Sequence, residues 1–252
     1  MQNKIKPLFR AIKYIKNWPD YLFDYFGLIK SKKLIYYDRR NMAFIVRPGT
    51  ADRGIMTSLT LMDEHHLSLM KFPKDAVVIE IGAQIGFLTI PVAKKAKRVY
   101  AYEPVPENFE MLNKNVNLNN LQDKIFTRKV AIGSKNGEIT IYISDKNTGG
   151  HSIYKKGSKK ITVPMITLKK IFENEHLKKC FFMKIDVEGA EYEILYNTPK
   201  SILNKIENLY VEYHPVKKLG FDGKNLSEYL RKNGFSVKTS GGYIYAKKNN
   251  ES

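Results

Sequence analysis

Residues Val77–Pro104 read VVIEIGAQIGFLTIPVAKKAKRVYAYEP. An apolar run from Val77 to Ile81 is broken only by Glu80 near its exit, and a second run, Arg98 to Tyr102, ends in Glu103. Between them lie the turn Gly82-Ala83-Gln84-Ile85-Gly86 and a segment of helical length. Short apolar runs bounded by turns are the signature of buried parallel strands, and glycines after the first let the backbone turn and come close to a ligand. Such a strand–turn–helix–strand unit receives its ligand at the carboxyl edge of the sheet. A carboxylate about 20 residues after the glycine turn can accept hydrogen bonds from the two hydroxyls of a ribose. The stretch therefore predicts a nucleoside-containing cofactor.

The turn also discriminates among such cofactors. A dinucleotide site needs G-x-G-x-x-G so that backbone N–H groups and a helix N-terminus meet a pyrophosphate. Here Gly82 and Gly86 have no glycine between them at the middle position, and Glu80 would repel a pyrophosphate. A carboxylate there suits an ammonium group. S-adenosylmethionine has a ribose, an adenine, an amino-acid end and no phosphate. The residues expected to hold it are Glu80, Gly82, Ala83, Gln84, Gly86, Glu103, Pro104 and, at the end of a later strand, Asp186.

Working outward, strands and helices alternate. Helices are expected over Thr57–Met70, Pro106–Asn119 (with Phe109, Leu112, Val116 and Leu118 inward), Leu168–Leu177, Glu191–Leu203 and Leu226–Asn233. Strands are expected over Phe126–Ile132, Glu138–Ser144, Ile161–Ile166, Phe181–Asp186 and Leu209–His214. A closing hairpin, Phe235–Lys247, turns at Ser240-Gly241-Gly242. The pattern predicts an α/β fold: a doubly wound, mostly parallel seven-stranded sheet of Rossmann-like type with an N-terminal helical and hairpin extension. Three regions are expected: a basic amphipathic arm over 1–33, a hairpin and helix over 34–74 packing on the core, and the cofactor-binding domain over 75–252.

A second constellation ends the later strands. Lys184-Ile185-Asp186-Val187-Glu188-Gly189-Ala190-Glu191 puts carboxylates at one carboxyl edge, with Asp186 and Glu188 near where a methyl donor would sit. His214, in Val211-Glu212-Tyr213-His214-Pro215, should share that rim, and histidine is a natural general base near neutral pH. The expected base is His214, or Asp186 if the acceptor sits deeper. Asp186, Glu188 and His214 could alternatively hold a divalent ion, which the residue types allow but do not favour. His151 in the polar loop 145–160 and Arg53 in the loop 47–53 are candidate acceptor contacts.

The chain resembles the FkbM-type family of S-adenosylmethionine-dependent methyltransferases. The resemblance rests on EIGAQIGFLT, YAYEPVPENFEMLNKNVNLN, KVAIGSKNGE, MKIDVEGAEYEIL and VEYHP, in this order, and spans about Phe44 to Pro215. DVEGAE together with YEP-x-P-x-NF is its specific part. The upstream RPGTADR is similar to a loop of members linked to surface polysaccharides. The resemblance implies O-methylation of a sugar hydroxyl in a glycan, or of a secondary metabolite, with Glu80, Gly82, Gly86 and Glu103 holding the cofactor. The family more often has Asp and Asn where this chain has Glu80 and Gln84, so each side chain is one methylene longer. Two rivals remain. One is an RNA ribose O-methyltransferase; base N-methylation is disfavoured because no Pro-Pro-aromatic turn follows the fourth core strand. The other is a non-catalytic methyltransferase-like adaptor.

Composition bounds the rest. Of 252 residues 43% are hydrophobic and 27% charged, enough for one full core. The single cysteine, Cys180, excludes an internal disulfide and a cysteine zinc cluster. No apolar stretch is long enough to span a bilayer, and Lys13, Lys16 and Asp20 interrupt any signal-peptide core, so a cytoplasmic setting is expected. The net charge of +18 favours anionic partners, although the motifs argue against nucleic acid. In the arm, Ile5, Leu8, Phe9, Ile12 and Ile15 recur at helical spacing among Lys4, Lys6, Arg10, Lys13 and Lys16, and Trp18-Pro19 precedes the cluster Tyr21–Phe26. Such a segment either caps the core or lies on an anionic membrane surface.

Overall fold

The computed structural model describes residues 2–143, 159–216 and 219–249, with side chains from residue 6 onward. The glycine turn sits where the sequence puts it. Strand β3 (Val77–Ile81) runs into the turn, helix α4 (Thr89–Ala93) follows, and strand β4 (Arg98–Tyr102) pairs with β3 in parallel. Helix α5 (Pro106–Leu118) leads to β5 (Ile125–Arg128), parallel to β4. The chain then crosses back to β9 (Cys180–Ile185) on the other side of β3, and on to β10 (Ile206–Glu212). The hairpin β11 (Phe235–Ser240) and β12 (Tyr243–Lys248) completes a seven-stranded sheet of order β11-β12-β10-β9-β3-β4-β5, in which β12 is antiparallel to β10. The direction of winding reverses between β3 and β9, which is where an open sheet of this class leaves a crevice for a ligand.

Alternate residues of the central strands feed opposite faces, as the pleat requires. Val78, Val99, Ala101, Phe182 and Tyr210 join one buried cluster. Ile79, Ile81, Met183, Ile185 and Val211 join the other, covered by α6 (Leu168–Asn174), α7 (Glu191–Tyr196), α8 (Lys200–Leu203) and α9 (Gly223–Lys232). The N-terminal region covers the first face. Ala11 and Ile15 of α1 (Gln2–Tyr14) with its exit, Tyr21 of α2 (Trp18–Tyr25), Tyr36 of β1 (Leu34–Asp38) and Phe44 of β2 (Met42–Val46) are all buried there. Pro19 starts α2 rather than merely ending α1, because a proline near a helix N-terminus forfeits no intrahelical hydrogen bond.

Five local expectations need correction, one being that the helix expected over Glu191–Leu203 divides into α7 and α8, with Pro199 capping the second. The helix expected over Thr57–Met70 begins earlier and ends earlier: α3 (Asp52–Met56) continues as a π-helical turn, Thr57–Leu61, and left-handed Asp63 and His66 terminate it. The strand expected over Phe126–Ile132 splits, and β6 (Ala131–Ile132) joins a separate small sheet of order β6-β8-β7, with β7 at Gly137–Ile143 and β8 at Lys159–Ile166. The helix expected from Leu226 begins at Gly223, because the Asp222 carboxylate accepts from the Asn225 N–H at 2.8 Å. The inward face of α5 buries Leu112 and Val116 as expected, but Leu118 is exposed and Asn108 and Asn115 are buried in the same face. Asn115 accepts from the Ile45 N–H at 2.7 Å and donates to the Ile85 carbonyl at 2.8 Å, while Asn119 brackets Ala43 in the same way. These amides satisfy the free edge of β2 and fasten the hairpin to the glycine turn.

Candidate active site

The carboxyl ends of β3, β4, β9 and β10 surround a cavity of about 450 Å³, within the range of small-molecule sites. Glu103, just after β4, is buried. Its carboxylate accepts from the backbone N–H of Gln84 at 2.9 Å and from that of Val105 at 2.9 Å. Burial pushes it up to about 7 against the pull of these hydrogen bonds. The turn can deliver the Gln84 N–H because Gln84 takes φ 51°, a conformation asparagine and glycine adopt more readily. Pro104 and Ala83 line the cavity beside it.

Gln84 does more than its expected role. Its side-chain amide donates to Asp52 Oδ1 at 2.9 Å, and Asp52 in turn holds Arg47 through Nε at 2.9 Å. The loop over 47–53 is thereby tied to the glycine turn. Among the described residues the buried Gln84 Oε1 finds no hydrogen-bond partner, and it lies beside the cavity, where a ligand donor would satisfy it. Gly82 has φ +81°, and a Cβ there would come within 1.9 Å of the Asp186 backbone oxygen. Gly86 also has positive φ, but it packs against Leu112 and Ile90 rather than on the cavity wall.

The wall between β3 and β10 is charged. Glu80 is fully buried, accepts from Thr89 Oγ1 at 2.6 Å, and is pushed up to about 7 by burial. Lys184 is buried beside it and donates to Asp186 Oδ2 at 3.0 Å and to the Gly82 carbonyl at 3.1 Å. Burial lowers the Lys184 ammonium, but the charges of Asp186 and Glu80 outweigh it, and the ammonium is held above its ordinary value. Glu188, in a left-handed conformation at φ 55°, and Glu212 also face the cavity.

His214 is placed differently from expectation. It stands beside the wall, not on it. Its Nδ1–H donates to Glu191 Oε1 at 2.8 Å, and Nε2 lies 3.9 Å from Glu188 and 4.0 Å from Glu212. Glu191 is fully buried, and the N–H groups of Val187 and Gly189 also converge on its Oε1. Burial would lower the imidazole, but the bond to Glu191 and the charges of Glu191, Glu188 and Asp186 lift it to about 9. These charges favour the protonated imidazole at neutral pH, the opposite of what the expected general base needs. Glu212, on the cavity wall, is raised to about 7 by burial and by Asp186, against the opposing pull of Lys184 and His214. The motifs that hold Glu212 and Glu191 assign neither a role; the signal that marks Glu212 is an acid at the exit of a buried strand.

Arg53 does not reach the cavity. Its guanidinium lies 3.7 Å from Asp24 and stacks 4.8 Å from the centroid of Tyr25, while its neighbours Gly54 and Ser58 line the site instead. Asp24 draws Arg53 inward because it is buried and also accepts from Tyr36 and Gly49. His151 lies outside the described residues, as does most of the loop 145–160. Asp186, Glu191 and His214 each offer a ligand atom within 4.8 Å of the others, so the cation-compatible cluster includes Glu191 rather than the expected Glu188.

The profile of the methyltransferase FkbM domain matches residues 80–237, well over half of the chain. The chain belongs to the FkbM methyltransferase family. It is an S-adenosylmethionine-dependent methyltransferase. Methyltransferase 1 of Beauveria bassiana is 23% identical over 189 residues, covering 66% of this chain and 74% of that protein. Hexuronic acid methyltransferase AglP of Haloferax volcanii is 27% identical over 169 residues, covering 67% of this chain and 66% of that protein. Magnesium protoporphyrin IX methyltransferase of Synechocystis PCC 6803 is 13% identical over 78% of this chain and 84% of its own, with a TM-score of 0.48, a distance at which the likeness supports no functional argument. The FkbM profile begins at Glu80 and ends within β11, so it takes in the whole charged wall.

Proposed function

We propose that this FkbM methyltransferase methylates a hydroxyl of a sugar-like small molecule, with Glu212 as the general base. The observation that carries this is the acidic wall: Asp186, Glu188 and Glu212 face one cavity, with Glu64 on the same lining. Carboxylates are acceptor-only groups, and a polyhydroxyl compound offers the donors they lack. The relative named for hexuronic acid methylation supports a sugar acceptor.

The residues fit the cofactor's charge and shape. Glu103, already oriented by two backbone N–H groups, is proposed to accept from the ribose hydroxyls. Glu80 and Asp186 supply negative charge for the ammonium and sulfonium, and Val130, Ile132 and Ile141 give an apolar side for the purine. S-adenosylmethionine supplies an electrophilic methyl on a positively charged sulfur. The chain's task is to align the acceptor oxygen, a proximity effect, and to remove its proton. A carboxylate raised toward neutral pH is matched to that step, whereas the carboxylates around His214 favour its protonated form. His214, fixed by Glu191, is a positioning residue whose charge keeps Glu212 from rising further.

Calorimetric titration with S-adenosylhomocysteine tests the cofactor placement. Glu103→Ala should weaken binding roughly 10- to 100-fold, the worth of charge-assisted hydrogen bonds. Unchanged affinity would remove Glu103 from the site, and no binding to the folded native chain would overturn the placement of the cofactor in this cavity. Methyl incorporation into a panel of neutral and acidic sugars tests the acceptor; incorporation into RNA alone would defeat the sugar reading.

A further inference from the structure

The N-terminal arm is anchored by one face and uncovered on the other. Ala11, Ile15 and Tyr21 are buried in the core, Arg10 Nε donates to the Leu61 carbonyl at 2.7 Å, and the Lys16 N–H donates to the Tyr37 carbonyl at 2.7 Å. Capping the core thus accounts for the inner face. It does not account for Phe9, Phe26 and Leu28, which are 68%, 65% and 63% exposed. Of the nine large hydrophobic side chains exposed among the described residues, five fall between Phe9 and Leu28, so the exposure is concentrated rather than scattered.

Charge decides what such a surface fits. On α1, Phe9 and Ile12 are one turn apart, and Lys6 and Lys13 lie three and four residues from Phe9 on the same side, while Lys16, just beyond the helix, is exposed. Beyond α2, Lys30, Lys32 and Lys33 are exposed. Over residues 6–33 the acids are Asp20, bonded to Asn17 Nδ2 at 2.8 Å, and Asp24, which is buried; neither is an exposed residue. Aromatic and aliphatic side chains interleaved with lysines, with no exposed acid among them, match a lipid surface: apolar groups enter the acyl boundary while ammonium groups meet anionic headgroups. Among the described residues no helix is long and apolar enough to cross a membrane, so the contact would be peripheral.

We propose that the exposed apolar and basic side chains of the arm, Phe9, Ile12, Phe26 and Leu28 with Lys13 and Lys16, dock the enzyme on an anionic lipid surface. Flotation of the full chain with phosphatidylcholine vesicles, with and without phosphatidylglycerol, tests it. The native chain should float with the anionic vesicles only, and less at high salt. Lys13→Glu with Lys16→Glu should reduce the bound fraction at least roughly tenfold, since each lysine near such a surface contributes about a factor of five. Phe9→Ser with Phe26→Ser should also abolish flotation. S-adenosylhomocysteine titration of both variants reports that the fold is intact. Failure of the native chain to float with anionic vesicles at low salt overturns the proposal, as does undiminished flotation of the charge-reversed variant. A native chain that instead forms a dimer abolished by the phenylalanine substitutions, and does not float, would assign the face to a second copy.

Discussion

Glu212→Gln is expected to lower kcat by roughly 10²- to 10⁴-fold, the contribution of a positioned general base, with little change in S-adenosylhomocysteine affinity. The amide keeps the shape of the side chain but cannot take the acceptor's proton. The native enzyme should gain activity as pH rises, because the active form is the carboxylate. Its profile should increase about tenfold per pH unit below the ionisation and level off above about 7, where Glu212 titrates. In Glu212→Gln that limb should vanish. A variant retaining native kcat, or a native profile flat through pH 7, would remove Glu212 from the reaction.

His214→Asn separates the two candidate bases. The imidazolium lowers Glu212, so its removal should raise the Glu212 ionisation and move the activity limb to higher pH. Activity lost at pH 7 should then largely return at alkaline pH. A limb near 9 in the native enzyme, with a loss in His214→Asn that persists at every pH, would instead identify His214 as the base. Glu191→Gln should act in the same direction as His214→Asn, because loss of its charge lets burial pull His214 back toward the ordinary histidine range.

The frame was readable because it is written in local pattern. Apolar runs of five or six residues fix β3, β4 and β9, and acids at their exits mark the crevice. Glu103 could be placed because its spacing from the glycine turn is set by one helix and one strand. What could not be read depends on contacts between segments far apart in the chain. Asn115 and Asn119 look like solvent-facing polar residues on a helix until the free edge of β2, some 70 residues earlier, is set against them. Arg53 sits in α3, whose Gly54 and Ile55 do line the cavity, yet the buried charge of Asp24 turns its side chain away. His214 is expected on the rim but stands beside it, and its protonation depends on Glu191, whose burial follows from the packing of α7 against the sheet.

Gly82→Ala should lose cofactor binding outright and destabilise the fold, whereas Gly54→Ala should do neither, although both glycines line the same cavity. The added Cβ at Gly82 would meet the Asp186 backbone oxygen at 1.9 Å, and backbone cannot swing aside as a side-chain end can. Relief requires the ends of β3 and β9 to separate where the Asp186 N–H donates to the Ile81 carbonyl at 3.1 Å and Lys184 bridges Gly82 to Asp186. The left-handed φ of +81° adds a cost of about 1–2 kcal/mol to overpacking of about 1–3 kcal/mol. A total of roughly 2–5 kcal/mol is a large share of a domain's stability, and what remains folded has Glu80, Asp186 and Lys184 out of register. Among the described residues beyond its own helix backbone and chain neighbours, no heavy atom lies within 4 Å of a Cβ added at Gly54, and its φ is not positive, so alanine there should leave stability unchanged or raise it by up to about 1 kcal/mol. Urea unfolding and S-adenosylhomocysteine titration of the two variants read the difference. Native-like binding and an unshifted midpoint in Gly82→Ala would mean that the β3–β9 crevice is not as closely drawn together as the structure has it, and the placement of the cofactor between those strands would fall with it.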